Sequence, residues 1–454
     1  MILRGKPVVR LGLIAGLAAL ALAGTAAAQA SKTLTVCPTG PPKCQFDTIQ
    51  AALDAAQAGD RILIAPGSYG GGFTIADSVS LIGSGADQTT IRRGEPPVDE
   101  VPLVSVPPAV SATISRVTIT GGVWSYTPGS AIHNEGRLTV DASSVSGNTA
   151  FGSGGVAIYS SGTLVLTRSI VRGNDTNDTG GLNNAGGTLT LADSVVSNND
   201  GYFTGGITND GTATITDTTI AFNRNFGYEG NGIYNSGSLS LTRSAVDDNG
   251  LGAGTGGGIA NSGEATLTET TVNRNRADEG GGIVNTGTLT LRRSSVNDNA
   301  CCAGVFGEDG GGIENIGTAL LIHSEVNGNN TFQGDGGGIY NHNLGSLTLI
   351  STDVEGNVAN QLPPYGIGSG GGIYNAGHAD IFRAVIAQNV AAGQGGGIAN
   401  GGGTLTLDHS RVTGNTAQGL DGSGIFGGGI YNIGALGLTQ TTVTGNIPDD
   451  CVGC

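Results

Sequence analysis

The chain has 454 residues, 83 of them glycine, and 36 acidic against 20 basic side chains give it a formal charge of −16. Such an acidic surface repels phosphate backbones, which excludes nucleic acid as a partner. Glycine in this abundance signals either disorder or repeats, and the regular alternation of Val, Ile, Leu and Thr decides for repeats, because it supplies a face that can be buried.

Residues 1–30 read as a secretory signal peptide. Arg4, Lys6 and Arg10 precede an apolar run from Leu11 to Ala23, and Ala28-Gln29-Ala30 offers a small-residue cleavage site. Losing this segment removes three positive charges and no acidic one, so the formal charge becomes −19. A membrane span needs roughly 20 apolar residues. The mature chain is therefore expected to have no span and to be secreted, extracellular or associated with the cell surface. Residues 31–70 follow as an N-terminal cap with a short helix near Thr48 to Gln57. Here Cys37 and Cys44 form a local pair that an oxidising compartment joins.

Residues 71–447 repeat. The last Asn of each repeat falls at Asn148, Asn174, Asn199, Asn223, Asn249, Asn275, Asn299, Asn329, Asn357, Asn389, Asn415 and Asn446, a spacing of 24 to 32 residues. That is the length of one solenoid coil. Three residues before every anchor stands Val or Ile, and five before it stands Ser or Thr, with Ala384 as the exception. Aliphatic pairs such as Leu164 with Leu166 and Leu289 with Leu291 lie further upstream. The runs are short, β-branched and of period two, so they are strands with one buried face. Each coil holds three: Gly-Gly-Ile-x-Asn, Leu-x-Leu and Ser-x-Val, joined at glycine corners. The fold class expected is all-β, a single-stranded right-handed parallel β-helix of about 12 to 14 coils with a short N-terminal capping helix. Stacked Asn residues then form ladders in which each amide donates to one neighbour and accepts from the other. An outward column reading Arg168, Asp193, Asp217, Arg243, Glu269, Arg293 adds charge pairing to the register. Residues 448–454 form a tail in which Cys451 and Cys454 make a second local pair. Cys301 and Cys302 lie about five coils earlier and either pair with each other or remain thiols. Two thiols without further ligands make an incomplete metal shell, so no metal is expected.

The segment Phe46-Asp47-Thr48-Ile49-Gln50-Ala51-Ala52-Leu53, followed by Gly59-Asp60-Arg61-Ile62-Leu63-Ile64 and Pro66-Gly67-Ser68-Tyr69, resembles the N-terminal cap of pectin-lyase-like β-helix proteins. Coils such as Gly281-Gly282-Ile283-Val284-Asn285-Thr286-Gly287-Thr288-Leu289-Thr290-Leu291 are similar to bacterial surface repeats, including those of polymorphic outer membrane proteins. The resemblance covers nearly all of residues 36–446. It implies the right-handed parallel β-helix, with a short amphipathic helix over the first coil. Polymorphic outer membrane proteins carry a C-terminal autotransporter barrel, and no such barrel lies before Cys454, so self-anchoring is not expected. Pectin methylesterases, pectate lyases and polygalacturonases share the fold, which makes a lyase or hydrolase of acidic polysaccharide the alternative function.

Catalysis on this fold gathers Ca²⁺-binding carboxylates with a base, or paired acids, in a few coils. Asp247-Asp248 is the best internal acid pair, yet Asn273 and Asn297 replace Asp247 in the next coils, which reads as corner variation. His133, His323, His342, His378 and His409 do not converge in one column and read as solvated turn residues. The acids Asp278, Glu279, Glu308, Asp309 and Asp335 recur too rarely for a Ca²⁺-loaded nonapeptide solenoid. The Thr residues flanking Leu-x-Leu are interrupted by Leu320, Asp380 and Gly437, which breaks any flat array of the ice-binding type. No catalytic residue, metal or cofactor is assigned. The function expected is a monomeric, non-catalytic adhesin-like or structural protein that binds carbohydrate or a cell-surface protein. Its binding face follows from coil length: the segment from strand one to the anchor Asn is nearly constant, whereas the return to the next strand one varies. Insertions therefore emerge at one corner, often the binding side of a solenoid. The longest returns carry Phe306, Tyr365 and Phe426, and strand one beside them points Tyr340, Tyr374 and Tyr431 outward. Tyr159 and Tyr234 occupy the same column far from these loops, so the ordinary explanation is strand propensity.

Overall fold

The computed structural model describes residues 31–93, 101–124, 129–150, 155–227, 230–250, 254–301, 309–362, 366–420, 424 and 426–454. The signal segment lies outside them. Three long parallel sheets of 16, 15 and 15 strands run the length of a solenoid of about 14 turns. Each strand pairs with its counterpart one coil on. Leu164 thus meets Leu189 in the Leu-x-Leu sheet, Ile158 meets Leu182 in the strand-one sheet and Val171 meets Val196 in the Ser-x-Val sheet. The buried columns are Ile, Leu and Val at or near zero exposure, and together they form one continuous core. No coil could bury its faces alone, so each is stabilised by its neighbours.

The ladders begin before residue 71. Strands Thr33–Val36 and Arg61–Ile64 are the first two of the 16-stranded sheet. Helix α1, Ile49–Ala55, packs over them with Ile49, Ala52 and Leu53 buried. Thr48 caps it, its hydroxyl accepting from the Ala51 N–H at 3.2 Å. At the far end, Cys451–Val452 pairs in parallel with Ile430–Tyr431. Disulfides join Cys37 to Cys44 and Cys451 to Cys454. Cys301 is buried and disulfide-bonded. Cys302 lies outside the described residues.

Two local features differ from the sequence reading. Many coils have more than three strands: two-residue strands after the anchor Asn, such as Asp200–Gly201 with Arg224–Asn225, add corner sheets of five and six strands. Not every corner is made by glycine, either. The position after the Leu-x-Leu strand has positive φ in residue after residue, among them Arg168 (48°), Arg243 (46°), Glu269 (51°) and His409 (50°). A left-handed conformation costs a side chain about 1–2 kcal/mol. The following Ser or Thr offsets this by bridging the bend, as when the Ser169 hydroxyl donates to the Thr167 carbonyl at 2.8 Å and accepts from the Ser143 N–H at 3.2 Å. Glycine is required elsewhere. Gly280 has φ of 50°, and a Cβ on Gly281 or Gly282 would lie 2.5–2.6 Å from the next coil's backbone.

Both Asn ladders form. Asn275 donates its amide to Asn299 Oδ1 at 3.0 Å and to the Val246 carbonyl at 2.8 Å, while its Oδ1 accepts from the amide and backbone N–H of Asn249. In the strand-one ladder, Asn184 donates to Asn209 at 2.6 Å and Asn209 to Asn235 at 2.7 Å. The outward charge column pairs only in part. Arg243 grips Asp217 and Arg293 grips Glu269, but Arg168 turns to Asp141 at the end of the preceding coil's Leu-x-Leu strand.

Candidate functional site

The return corner lies between the anchor Asn and the next strand one, and stacking turns its scattered acids into a column. The residue four before the strand-one aliphatic is Asp178 in one coil and Glu279, Asp309, Asp335 and Ser369 in four consecutive later ones. The acceptors are used in sequence: the Asp335 N–H donates to Asp309 Oδ1 at 2.7 Å, and the Ser369 N–H to Asp335 Oδ1 at 2.7 Å. Both carboxyls are largely sheltered from water. Burial pushes Asp309 above the ordinary carboxyl range. Burial, and then the charge of Asp309, pushes Asp335 up to about 7.

Beside this column run the outward residues of strand one, in the register Glu314, Tyr340, Tyr374, Ala399, Tyr431. Tyr340 and Tyr374 stack with centroids 5.2 Å apart and planes 13° from parallel. The Tyr340 hydroxyl is hydrogen-bonded to Asp309, and burial raises the pKa of both phenols. His342 meets Tyr340 edge to face at 6.0 Å. The Tyr374 ring leans over Gly401, where any Cβ would lie 2.3 Å from its hydroxyl. Stacking covers one face of each ring, and the other side of Tyr374 lies against Gly401.

The structure therefore unites Tyr340 and Tyr374 and places Tyr431 two coils beyond Tyr374, with Ala399 between. Phe426 occupies the acid column's position two coils after Ser369 and lies against Gly419. Phe306 and Tyr365 lie outside the described residues. Asp309 and Asp335 are not among the binding residues expected from the sequence; their constant offset from the strand-one aliphatic is a signal present in it. Asp247 and Asp248 are occupied structurally, the first by the Asn273 N–H and the Thr271 hydroxyl, the second by Arg274. The histidines are not all turn residues: His133 stacks on Tyr159 within strand one, and His378 is a strand residue bonded to Asp380 at 2.9 Å. Among the described residues, no three His, Cys, Asp or Glu side chains are placed to hold a metal ion. None of their helices is long and apolar enough to cross a membrane.

Parallel coils stack behind a helix that covers the first of them, with Asn ladders inside. The chain is a right-handed parallel β-helix. No family model matches this β-helix, and no curated protein does. Among solved structures, the A-module of the mannuronan C-5 epimerase AlgE4 from Azotobacter vinelandii aligns over 73% of this chain and 94% of its own, at 15% identity and a TM-score of 0.45. Pectate lyase Pel9A aligns over 64% and 76%, at 15% identity and 0.33. The catalytic domain of a GH87 alpha-1,3-glucanase aligns over 92% and 68%, at 11% identity and 0.34. Likeness at this level concerns the path of the chain and transfers no chemistry.

Proposed function

We propose that this β-helix is an exported, non-catalytic protein that binds glycan at the return corner around Asp309, Asp335, Tyr340 and Tyr374. The observation that carries the reading is the stacked tyrosine pair, bonded to a sheltered carboxyl at the corner where coil lengths vary. Hydroxyl edges beside carboxylates offer alternating donors and acceptors to a hydroxyl-rich ligand, on a rigid support that costs little entropy to use. Export is the reading of residues 1–30, and the two short-range disulfides agree with an oxidising compartment.

A second reading, hydrolysis or elimination on a polysaccharide, is favoured by one observation: a carboxyl poised near neutrality beside another carboxyl is what acid–base catalysis uses. Against it, Oδ1 of both acids is committed to the backbone of the next coil.

A glycan array with the full chain, followed by calorimetry on each hit, tests the binding reading. Tyr340→Phe and Tyr374→Phe keep the stack and remove only the hydroxyls, so each should weaken binding about tenfold, near 1.4 kcal/mol; the melting temperature should be little changed for Tyr374→Phe and lowered for Tyr340→Phe, which also loses the bond to Asp309. Affinity unaltered in both variants would remove this corner from consideration. Product release from uronic-acid polymers, assayed with and without Ca²⁺ and abolished by Asp335→Asn, would replace the binding reading with the catalytic one.

A further inference from the structure

The outward face of the Leu-x-Leu sheet carries a regular array of hydroxyls. Five consecutive strands, Thr188–Ala192, Thr212–Thr216, Ser238–Thr242, Glu264–Thr268 and Thr288–Arg292, pair in unbroken parallel register. Each turns its first, third and fifth residues outward, and 12 of those 15 positions are Thr or Ser. The central column is complete: Thr190, Thr214, Ser240, Thr266, Thr290. The exceptions, Ala192, Glu264 and Arg292, stand in the two flanking columns. Leu320, Asp380 and Gly437, expected from the sequence to break any array of this kind, all lie in later coils and leave these five intact.

Strand propensity alone does not account for the array. Over the same coils the outward column of strand one reads Asn183, Thr208, Tyr234, Ala260, Val284, although the same preference for Thr acts there. The hydroxyls are also idle. Among the described residues, none of the five central side chains hydrogen-bonds to protein, and all are exposed or half-exposed. A hydroxyl in water already has its hydrogen bonds, so exchanging water for a flexible ligand gains little at each position. The array gains from a partner that is itself rigid and periodic in two dimensions, because one loss of rigid-body freedom is then shared by every contact.

We infer that this face binds ice, its hydroxyls joining the oxygen lattice of a growing crystal face. Neighbouring rungs lie about 4.8 Å apart and successive outward residues on a strand about 6.6 Å apart, repeats close to those of oxygen on the prism faces of ice. Each hydroxyl donates once and accepts twice, as a lattice water requires of its neighbour, and water held at these positions needs no displacement when it freezes in place. The 15 positions hold no aromatic ring on which a sugar could stack, and their two charges, Glu264 and Arg292, stand in the flanking columns. This function is separate from the glycan reading and does not rest on it.

The test grows ice slowly from a dilute solution of the full chain and measures the fraction of protein taken into the ice, together with thermal hysteresis. The chain should enrich in the ice. The double variant Thr214→Lys/Thr266→Lys changes two exposed side chains that bond to nothing in the described protein, and its long side chains hold the face off the crystal. Both readouts should fall about tenfold, with an unchanged melting temperature. Thr348→Lys, in the same column just beyond Leu320, should change neither readout. Glu264→Thr fills a flanking column and should raise the hysteresis. Exclusion of the unaltered chain from ice overturns the inference, and so does enrichment that survives Thr214→Lys/Thr266→Lys. An equal loss in Thr348→Lys overturns the assignment to these five coils. Retention on microcrystalline cellulose without enrichment in ice overturns it in favour of a crystalline polysaccharide.

Discussion

The strand-one Asn ladder has a gap at Ser160, and filling it should stabilise the protein. In the present chain Asn134 donates to the Ser160 hydroxyl at 2.9 Å, but the short serine does not reach the next coil. Asn184 Oδ1 is left buried without a partner among the described residues, although its own amide is bonded to Asn209. Ser160 is itself fully buried and pairs in register with Asn134 and Asn184, so an asparagine there meets the geometry that the Asn209, Asn235 and Asn261 side chains already satisfy. In Ser160→Asn the new amide would donate to Asn184 Oδ1, and its oxygen would replace the serine hydroxyl as acceptor for Asn134. Satisfying a buried acceptor recovers about 1–3 kcal/mol. Ordering the longer side chain costs up to about 1 kcal/mol. The net expectation is a gain of about 1–2 kcal/mol, read as a higher urea midpoint at unchanged slope. Ser160→Val, which fills similar volume without polar atoms, should instead lose about 1–3 kcal/mol, because Asn134 then keeps only the Thr163 carbonyl of its two acceptors. If Ser160→Asn left the midpoint in place or lowered it while circular dichroism stayed native, the Asn ladder would not be the source of stability claimed for it.

Removing a rung should be costly: Asn275→Ala deletes four hydrogen bonds and leaves the Asn249 backbone N–H and the Val246 carbonyl unpaired inside the rod, so a loss of about 3–5 kcal/mol is expected from urea unfolding, and a loss under about 1 kcal/mol would contradict the ladder's role. For Asp335 the sign follows from its raised pKa: between roughly pH 4 and 7 the folded chain holds a proton that the unfolded chain releases, so the stability contributed by that proton is present at low pH and is lost as pH rises through about 7. Asp335→Asn keeps the Oδ1 that accepts from Ser369 and carries no charge. Melting temperatures should therefore show stabilisation at pH 8, bounded above by about 4 kcal/mol, and none at pH 4; equal effects at both would show that Asp335 is not perturbed by burial.

Much of the fold could be read from the chain because its signals are local and repeated. Period-two alternation defines each strand, and the fixed offsets of Val and Ser from the anchor Asn set the register. Helix α1 was legible from Thr48 followed by Ile49, Ala52 and Leu53, which share a face. The sequence also showed which corner varies in length, because that needs only counting. Stacking alone decided the rest. Arg168 turned to Asp141 in place of Asp193 because the left-handed corner aims its side chain back along the rod, a direction that spacing does not encode. The same stacking made Asp309, Asp335, Tyr340 and Tyr374 one site. Asp309 and Asp335 are 26 positions apart in sequence and Tyr340 and Tyr374 are 34 apart, so neither the burial that pushes Asp335 toward 7 nor the stacking of the two rings exists until successive coils lie one strand spacing apart.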